Sequence, residues 1–412
     1  MTDIPAPTDT TAKPATAGFS IKRFLGFLHL WVGIIFCIPF VILGISGSWL
    51  MIDHLPEQFA EDPRAAAFRP VSEIITAAQA LAPEGRVPVA YDIPNAAGEP
   101  ASVRFAAPPR QGEGAQQGGP GGFRGQTRVT VDPVSLKAQV AQGSPGGGGP
   151  PTIIREDGSI NWGRLMHDLH GRMLIPGPEG RQFVGWLGVL MTGLCLTGIV
   201  MWWPKPRQWA QAFKVRFGQS AVRVNREAHG AAGIWFWLVF FVVCFSGTYI
   251  VFPQTFNAML GASPAVRDAR NQQPFNVTPV ADATPINADA AVALAKDAVP
   301  GGIVRGITLP ANETQPYRVT LSRVGDFNGK PRSQVIIDPW QNKVMETRDI
   351  DVYGTVDKFL AFQRQLHAGN GVGWWWFILV FISGALPPLF VGTGITMWWL
   401  KRRNKKRVMA QG

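Results

Sequence analysis

Residues 225–250 read NREAHGAAGIWFWLVFFVVCFSGTYI, and residues 25–50 read LGFLHLWVGIIFCIPFVILGISGSWL. Each is an apolar run with a histidine in its opening turn. Shifted by 200 positions, Arg23, His29, Gly33, Ile34, Phe36, Phe40, Ser46 and Gly47 fall on Arg223, His229, Gly233, Ile234, Phe236, Phe240, Ser246 and Gly247 without a gap. The chain is therefore written twice, and self-similarity of this kind governs the whole organisation. TGIVMWW (197–203) likewise repeats as TGITMWW (393–399), and DLHG (168–171) meets QLHA (365–368).

The 412 residues are 46% hydrophobic and only 16% charged, with 15 Trp and 25 Phe, a balance that a soluble globule does not need. Four stretches account for it. Phe24–Ile52, Gln182–Trp203, Ala228–Phe252 and Gly369–Leu400 hold no Asp, Glu, Lys or Arg. At 1.5 Å per residue each is long enough for a helix to cross roughly 30 Å of hydrocarbon. The fold class expected is an α-helical integral membrane protein, with four transmembrane helices from a tandem duplication and two small α+β domains outside the membrane.

Orientation follows from Lys and Arg in the short flanks. The stretch 204–227 carries six of them against one acid, the tail KRRNKKR six more, and Lys22 and Arg23 precede the first run. These belong on the cytoplasmic face, with the two long segments outside. The net charge of +11 is largely this excess, so it reads as topology in a lipid bilayer and not as nucleic-acid binding. The expected segments are a cytoplasmic arm (1–20), spans over 21–52, 181–203, 228–252 and 371–400, and external domains over 53–159 and 253–352. Histidine-bearing interfacial segments occupy 160–180 and 353–370, a basic loop 204–227, and a basic tail 401–412. The first run is too long for a signal-peptide core and has no small-residue cleavage site after it, so it is expected to be retained. Both halves start inside, which relates them by an axis along the membrane normal.

The external segments repeat as well. VSEIITAAQALA (71–82) and INADAAVALAKDAV (286–299) have helical spacing, with Asn287 placed to cap the second. TRVTVDP (127–133) with KAQVAQ (137–142), and SQVIIDP (333–339) with NKVMETR (342–348), read as hairpins turning at Asp-Pro. One helix on a small antiparallel sheet is the expected unit in each half. RQGEGAQQGGPGGFRGQ (110–126) and GSPGGGGPP (143–151) cannot bury a core and read as loops.

Six histidines are present, and four of them occupy duplicated positions, as His29/His229 and His170/His367. Ionisable groups in a membrane are costly and face the bundle interior with a partner. The first pair lies near the cytoplasmic face and the second near the outer face. Two imidazoles on opposite sides of an iron suit haem b held for electron transfer. Gly33 and Gly233, one turn on, either leave room for a flat macrocycle or permit close helix packing. The rival ligand is zinc, for which HDLH (167–170) could give two donors. Its copy QRQLH has no second histidine, and there is no HExxH or CxxC. His167 reads as a neighbour of a haem propionate and His54 as a surface residue. Cys37, Cys195 and Cys244 all lie within spans and read as small apolar residues.

These motifs resemble a known family. LHLWVGI with GISGSW, DLHGRMLIPGPEGRQFVGW with LTGIVMWWP, and the Asp-Pro hairpins look like the PepSY-associated transmembrane proteins of bacterial inner membranes, over roughly residues 20–403. The resemblance implies four membrane helices and two periplasmic PepSY domains. Some members are siderophore-linked ferric reductases with two b-type haems, which implies haem ligation by His29, His170, His229 and His367. The chain departs from the pattern in its glycine-rich insertions, and in Leu30 and Gly230 where a basic residue usually follows the motif histidine.

The function expected is an electron conduit that reduces a ferric chelate, a ferric siderophore above all, in the periplasm. No GxGxxG follows a strand, so the donor is external, either membrane quinol or a cytoplasmic reductase. Arg172 and Arg364 could pair with haem propionates or an anionic chelate, or could be interfacial anchors. Two other classes stay open. One is a membrane-anchored PepSY binding or regulatory protein. The other is a transporter subunit, mildly favoured by the Pro387–Pro388 break.

Overall fold

The computed structural model describes residues 20–53, 68–94, 99–107, 127–140, 153–154, 158–263, 275–323, 333–370 and 372–411. The arm before residue 20, His54 and both glycine-rich tracts lie outside the described residues.

The first apolar run is not one helix. α1 (Ile21–Ile35) and α2 (Cys37–Asp53) meet at Phe36 with a 68° bend. Pro39 explains where α1 stops, because its ring would collide with the carbonyl four residues back, that of Ile35, the last residue of α1. After α3 (Val71–Gln79) and strands β1 (Val87–Asp92), β2 (Ala101–Ala106), β3 (Thr127–Val131) and β4 (Ala138–Val140) come α4 (Trp162–Arg172) and α5 (Gly177–Trp202). A short helix α6 (Trp209–Ala212) then leads to α7 (Ala221–Trp235) and α8 (Trp237–Val251), again bent by 68°, now at Phe236. No proline marks this second break, since Val239 stands where the first copy has Pro39.

The second half continues with α9 (Pro253–Met259), α10 (Ala288–Ala298) and strands β5 (Gly302–Thr308), β6 (Tyr317–Arg323), β7 (Ser333–Asp338) and β8 (Lys343–Arg348). It closes with α11 (Thr355–His367), α12 (Trp374–Ser383) and α13 (Leu386–Gln411). The α12–α13 interruption falls at Gly384–Ala385, and Pro387–Pro388 sit in the first turn of α13, where an unpaired N–H costs nothing. The packing repeats with the sequence. α5 lies on α1 as α13 lies on α7, and α4 lies on α2 as α11 lies on α8.

Two expectations are corrected here. The chain does not build the four-helix membrane bundle. Two helical stretches, Gly177–Trp202 and Trp374–Gln411, the second interrupted at Gly384–Ala385, are long and apolar enough to cross a membrane, while the other two apolar runs are the bent pairs. Nor are there two separate α+β domains. All eight strands form one antiparallel sheet in the order β4-β3-β2-β1-β5-β6-β7-β8. The halves join at β1–β5, where Ala90, Tyr91 and Asp92 pair with Thr308, Ile307 and Gly306.

The physical reason for the merger is the edge strand. A four-stranded sheet would leave β1 or β5 with unpaired backbone groups, and pairing them removes both edges. It also merges two small cores into one. Ile74 and Ala78 of α3, Ala291 and Ala295 of α10, and Tyr91, Phe105, Val129, Ile307, Leu321 and Val335 of the sheet form a single buried cluster. Asp289 ties the two helices together, accepting from Val71 N at 2.8 Å and from the Ser72 hydroxyl. The hairpins turn where the sequence indicates. Asp132 accepts from Val134 N and Ser135 N at 2.9 and 2.8 Å, and Asp338 from Trp340 N at 2.8 Å. Asn287 caps α10 through Ala290 N at 2.9 Å.

Candidate functional site

Four imidazoles meet in two pairs. His29 on α1 faces His229 on α7, with ring centroids 6.3 Å apart. His170 on α4 faces His367 on α11 at 5.9 Å. The first pair lies toward the Lys- and Arg-rich flanks and is called basic-side here. The second, on the helices that follow the strands, is called sheet-side.

Every one of these rings is held by its Nδ1. His170 Nδ1 lies 3.0 Å from the Leu43 carbonyl and 3.2 Å from Ser46 Oγ. His367 repeats this with the Val243 carbonyl at 2.9 Å and Ser246 Oγ at 3.2 Å. A carbonyl can only accept, so each sheet-side ring carries its proton on Nδ1. On the basic side the partner is a hydroxyl, Thr197 Oγ1 for His29 at 2.9 Å and Thr393 Oγ1 for His229 at 2.8 Å. Each hydroxyl has one proton, and it already goes to its own helix, to Gly193 O at 2.9 Å and Leu389 O at 2.8 Å. Its lone pair is what remains for the imidazole. The carbonyls place Nδ1–H on both sheet-side rings, and the threonine contacts suit the same tautomer on the basic side, where the Phe390 carbonyl is a further backbone partner of His229.

The neighbouring elements fix these positions. Asn161 caps α4 through Arg164 N at 3.1 Å, and Met173 and Leu174 end it in left-handed backbone, with φ of 53° and 59°. A Cβ on Gly180 would meet Ile175 O at 2.3 Å, so the α4–α5 turn closes onto a residue without a side chain. Gly47 and Gly247 lie against the sheet-side rings, where a Cβ would stand 2.8 Å from His170 Cε1 and 2.9 Å from His367 Cε1. Gly33 and Gly233 behave differently. A Cβ on Gly33 meets nothing within 4 Å, and on Gly233 only the Phe390 ring edge at 4.0 Å. Their missing side chains open space and do not serve close helix packing.

That space belongs to a cavity of about 1260 Å³ beside the basic-side pair. Its apolar wall includes His29, His229, Gly33, Gly233 and Phe390, and its mouth carries Lys22, Lys205, Arg226, Lys401 and Arg402. The one acid lining it, Glu227, is engaged by Arg216 and Arg223 at 2.5 and 3.0 Å.

Burial pushes His170 down to about 4, with His367 and His167 adding to the fall and the Leu43 carbonyl opposing it. His367 is likewise lowered, chiefly by burial, and Arg364 nearby contributes. Both sheet-side rings are therefore neutral near pH 7, the state in which imidazole can bind a metal. His167 is exposed and turns toward Asp168, 3.6 Å away, apart from the His170/His367 pair. Asp168 is buried and also takes Arg164 at 2.8 Å and Arg172 at 3.5 Å. Arg364 is exposed, one turn before His367. Arg181, which the sequence reading passed over, lies near both Arg172 and Arg364 and donates to Ile250 O at 2.7 Å. Its signal was a lone cation opening an apolar helix.

Among the described residues no three His, Cys, Asp or Glu side chains gather where they could share a metal ion. Cys195 and Cys244 are buried together in the helical core, and all three cysteines are free.

Apolar helices, a duplicated helical frame and a sheet built between its halves define a membrane protein carrying an attached α+β unit. The chain belongs to the PepSY-associated transmembrane family, whose model, the PepSY-associated TM region, matches residues 27–401. No curated protein matches it.

Proposed function

We propose that the protein is a haem b electron conduit of the bacterial inner membrane that reduces a ferric chelate, a ferric siderophore above all, on its periplasmic side. The observation that carries this reading is the pair of facing imidazole couples, each ring with a hydrogen-bonding partner at Nδ1. The donor set fits the group. Each pair offers two imidazoles, with ring centroids 6.3 and 5.9 Å apart, and two histidines are a donor set that could hold a haem iron. The basic-side cavity is apolar where a macrocycle would lie and cationic where carboxylates would emerge. His29 and His229 would hold one haem, and His170 and His367 the other.

Bound there, each haem would supply a one-electron centre, so that two levels connect the faces of the membrane and allow iron(III) outside to become iron(II), which siderophores hold far less tightly. The residues do the rest. The Nδ1 bonds orient the rings, and the buried surroundings keep them neutral. Arg172, Arg181 and Arg364 present positive charge beside the sheet-side pair, suited to carboxylates of a chelate or of the porphyrin edge. Electrons would come from an external donor, quinol or a cytoplasmic reductase.

The test is the visible spectrum of detergent-purified protein, oxidised and dithionite-reduced, with a pyridine haemochrome assay. Sharp α and β bands at about two haems per chain are expected, and His→Ala changes should remove them level by level. Protein made with ample haem that shows no Soret band overturns the conduit and leaves a membrane-anchored PepSY binding protein as the reading.

A further inference from the structure

The two imidazole pairs are anchored to different acceptors, and that difference has a consequence. The sheet-side rings donate to main-chain carbonyls, Leu43 O and Val243 O, with a serine as an additional neighbour. The basic-side rings meet threonine hydroxyls, Thr197 for His29 and Thr393 for His229, and His229 has the Phe390 carbonyl as a further backbone partner, so the contrast is cleanest at His29. Thr197 and Thr393 are copies of one another across the 196-residue repeat, and both spend their proton on the carbonyl four residues earlier. A threonine bonded back to its own helix is by itself an ordinary packing device. Here two such residues, at equivalent positions on the two continuous apolar helices, each present a lone pair to a facing imidazole.

We infer that Thr197 and Thr393 are positioning residues for the basic-side histidines, accepting Nδ1–H so that Nε2 is the donor nitrogen and setting how strongly that nitrogen donates. This rests on the proposed function, since the effect is read through the iron. A hydrogen bond from Nδ1–H makes imidazole a more basic ligand and favours the ferric state, one of the established ways a protein tunes such a centre. Removing the acceptor should raise the reduction potential of the basic-side centre alone. The sheet-side serines should matter less, because the carbonyls remain when the hydroxyl is lost.

The experiment is a potentiometric titration of the full chain in detergent, following each α band, together with electron paramagnetic resonance of the ferric state. Thr197→Val is nearly isosteric and removes the hydroxyl, which is both the acceptor facing His29 and the donor to Gly193 O. Thr197→Ser restores the hydroxyl with less bulk, and Ser46→Ala is the comparison at the other level. The expected result is an upward shift and altered g values for one centre in Thr197→Val, reversal in Thr197→Ser, and little change in Ser46→Ala. Loss of one haem in Thr197→Val that Thr197→Ser restores supports the same role. Thr393→Val repeats the test at the copied position should Thr197→Val fold poorly, with a smaller upward shift expected because the Phe390 carbonyl remains for His229. Unchanged potentials and g values in a fully loaded valine variant overturn the inference, as does a change that serine does not reverse. Wild-type protein without haem overturns the proposed function itself, an outcome distinct from either.

Discussion

The sheet-side imidazoles rest against glycine, and that contact sets what can change there. Alanine at position 47 would put a methyl 2.8 Å from His170 Cε1 and 3.2 Å from Nδ1, so the ring must leave its bond to the Leu43 carbonyl. Overpacking of this kind costs about 1–3 kcal/mol. Gly47→Ala should therefore lower the thermal midpoint and shed the haem proposed at His170 and His367 while the basic-side bands persist. Gly193→Ala is the control, because its added methyl meets nothing within 4 Å. It should leave haem content intact and gain up to about 1 kcal/mol of helix propensity. The measurements are haem per chain and a thermal melt of both variants. A Gly47→Ala protein indistinguishable from wild type would contradict the contact. The histidines themselves were legible in the sequence because duplication marked them. Their Nδ1 partners were not, since Thr197 and Leu43 lie far from His29 and His170 along the chain and meet them only by helix packing.

Among the elements, α7 is held by a latch. Glu227, two residues before His229, accepts from Arg216 N at 2.9 Å, from the Arg216 guanidinium and from Arg223 Nε at 3.0 Å. It thereby ties the loop after α6 to α7 at the cavity mouth. Both arginine side chains are 41% exposed, so the ion pairs are partly screened and the expected contribution is small. Glu227→Gln should speed tryptic cleavage at Lys214 and Arg216 and lower the melting midpoint slightly, with Glu227→Ala more severe. Equal cleavage rates in limited proteolysis would show that the loop is not held there. The bends tell a related story. Pro39 gave a local reason for the first, yet its copy at Phe236 has no proline and bends by the same 68°. The second angle follows from how α7 and α8 pack, information that apolar periodicity does not contain.

For the molecule as a whole, the decisive feature is the single sheet. Tyr91 and Ile307 pair across the joint at 1% and 2% exposure, so either half depends on the other for its core. Ile307→Ala should cost about 2–5 kcal/mol. In hydrogen–deuterium exchange it should deprotect β1 and β2 together with β5 and β6. Deprotection confined to the second half would mean two independent domains after all.

The sequence by itself determined the duplication, the apolar helices, the hairpin turns at Asp132 and Asp338, and which histidines are paired. Each of these is a local pattern or a comparison of the chain with itself, and needs no knowledge of what packs on what. Tertiary structure alone decided that two runs bend and that eight strands make one sheet. It also decided that Thr197, Thr393, Leu43 and Val243 hold the imidazoles, and that Arg181 joins Arg172 and Arg364. Those depend on contacts between residues distant in the chain, where an unpaired strand edge or a buried N–H finds its partner only once the halves come together.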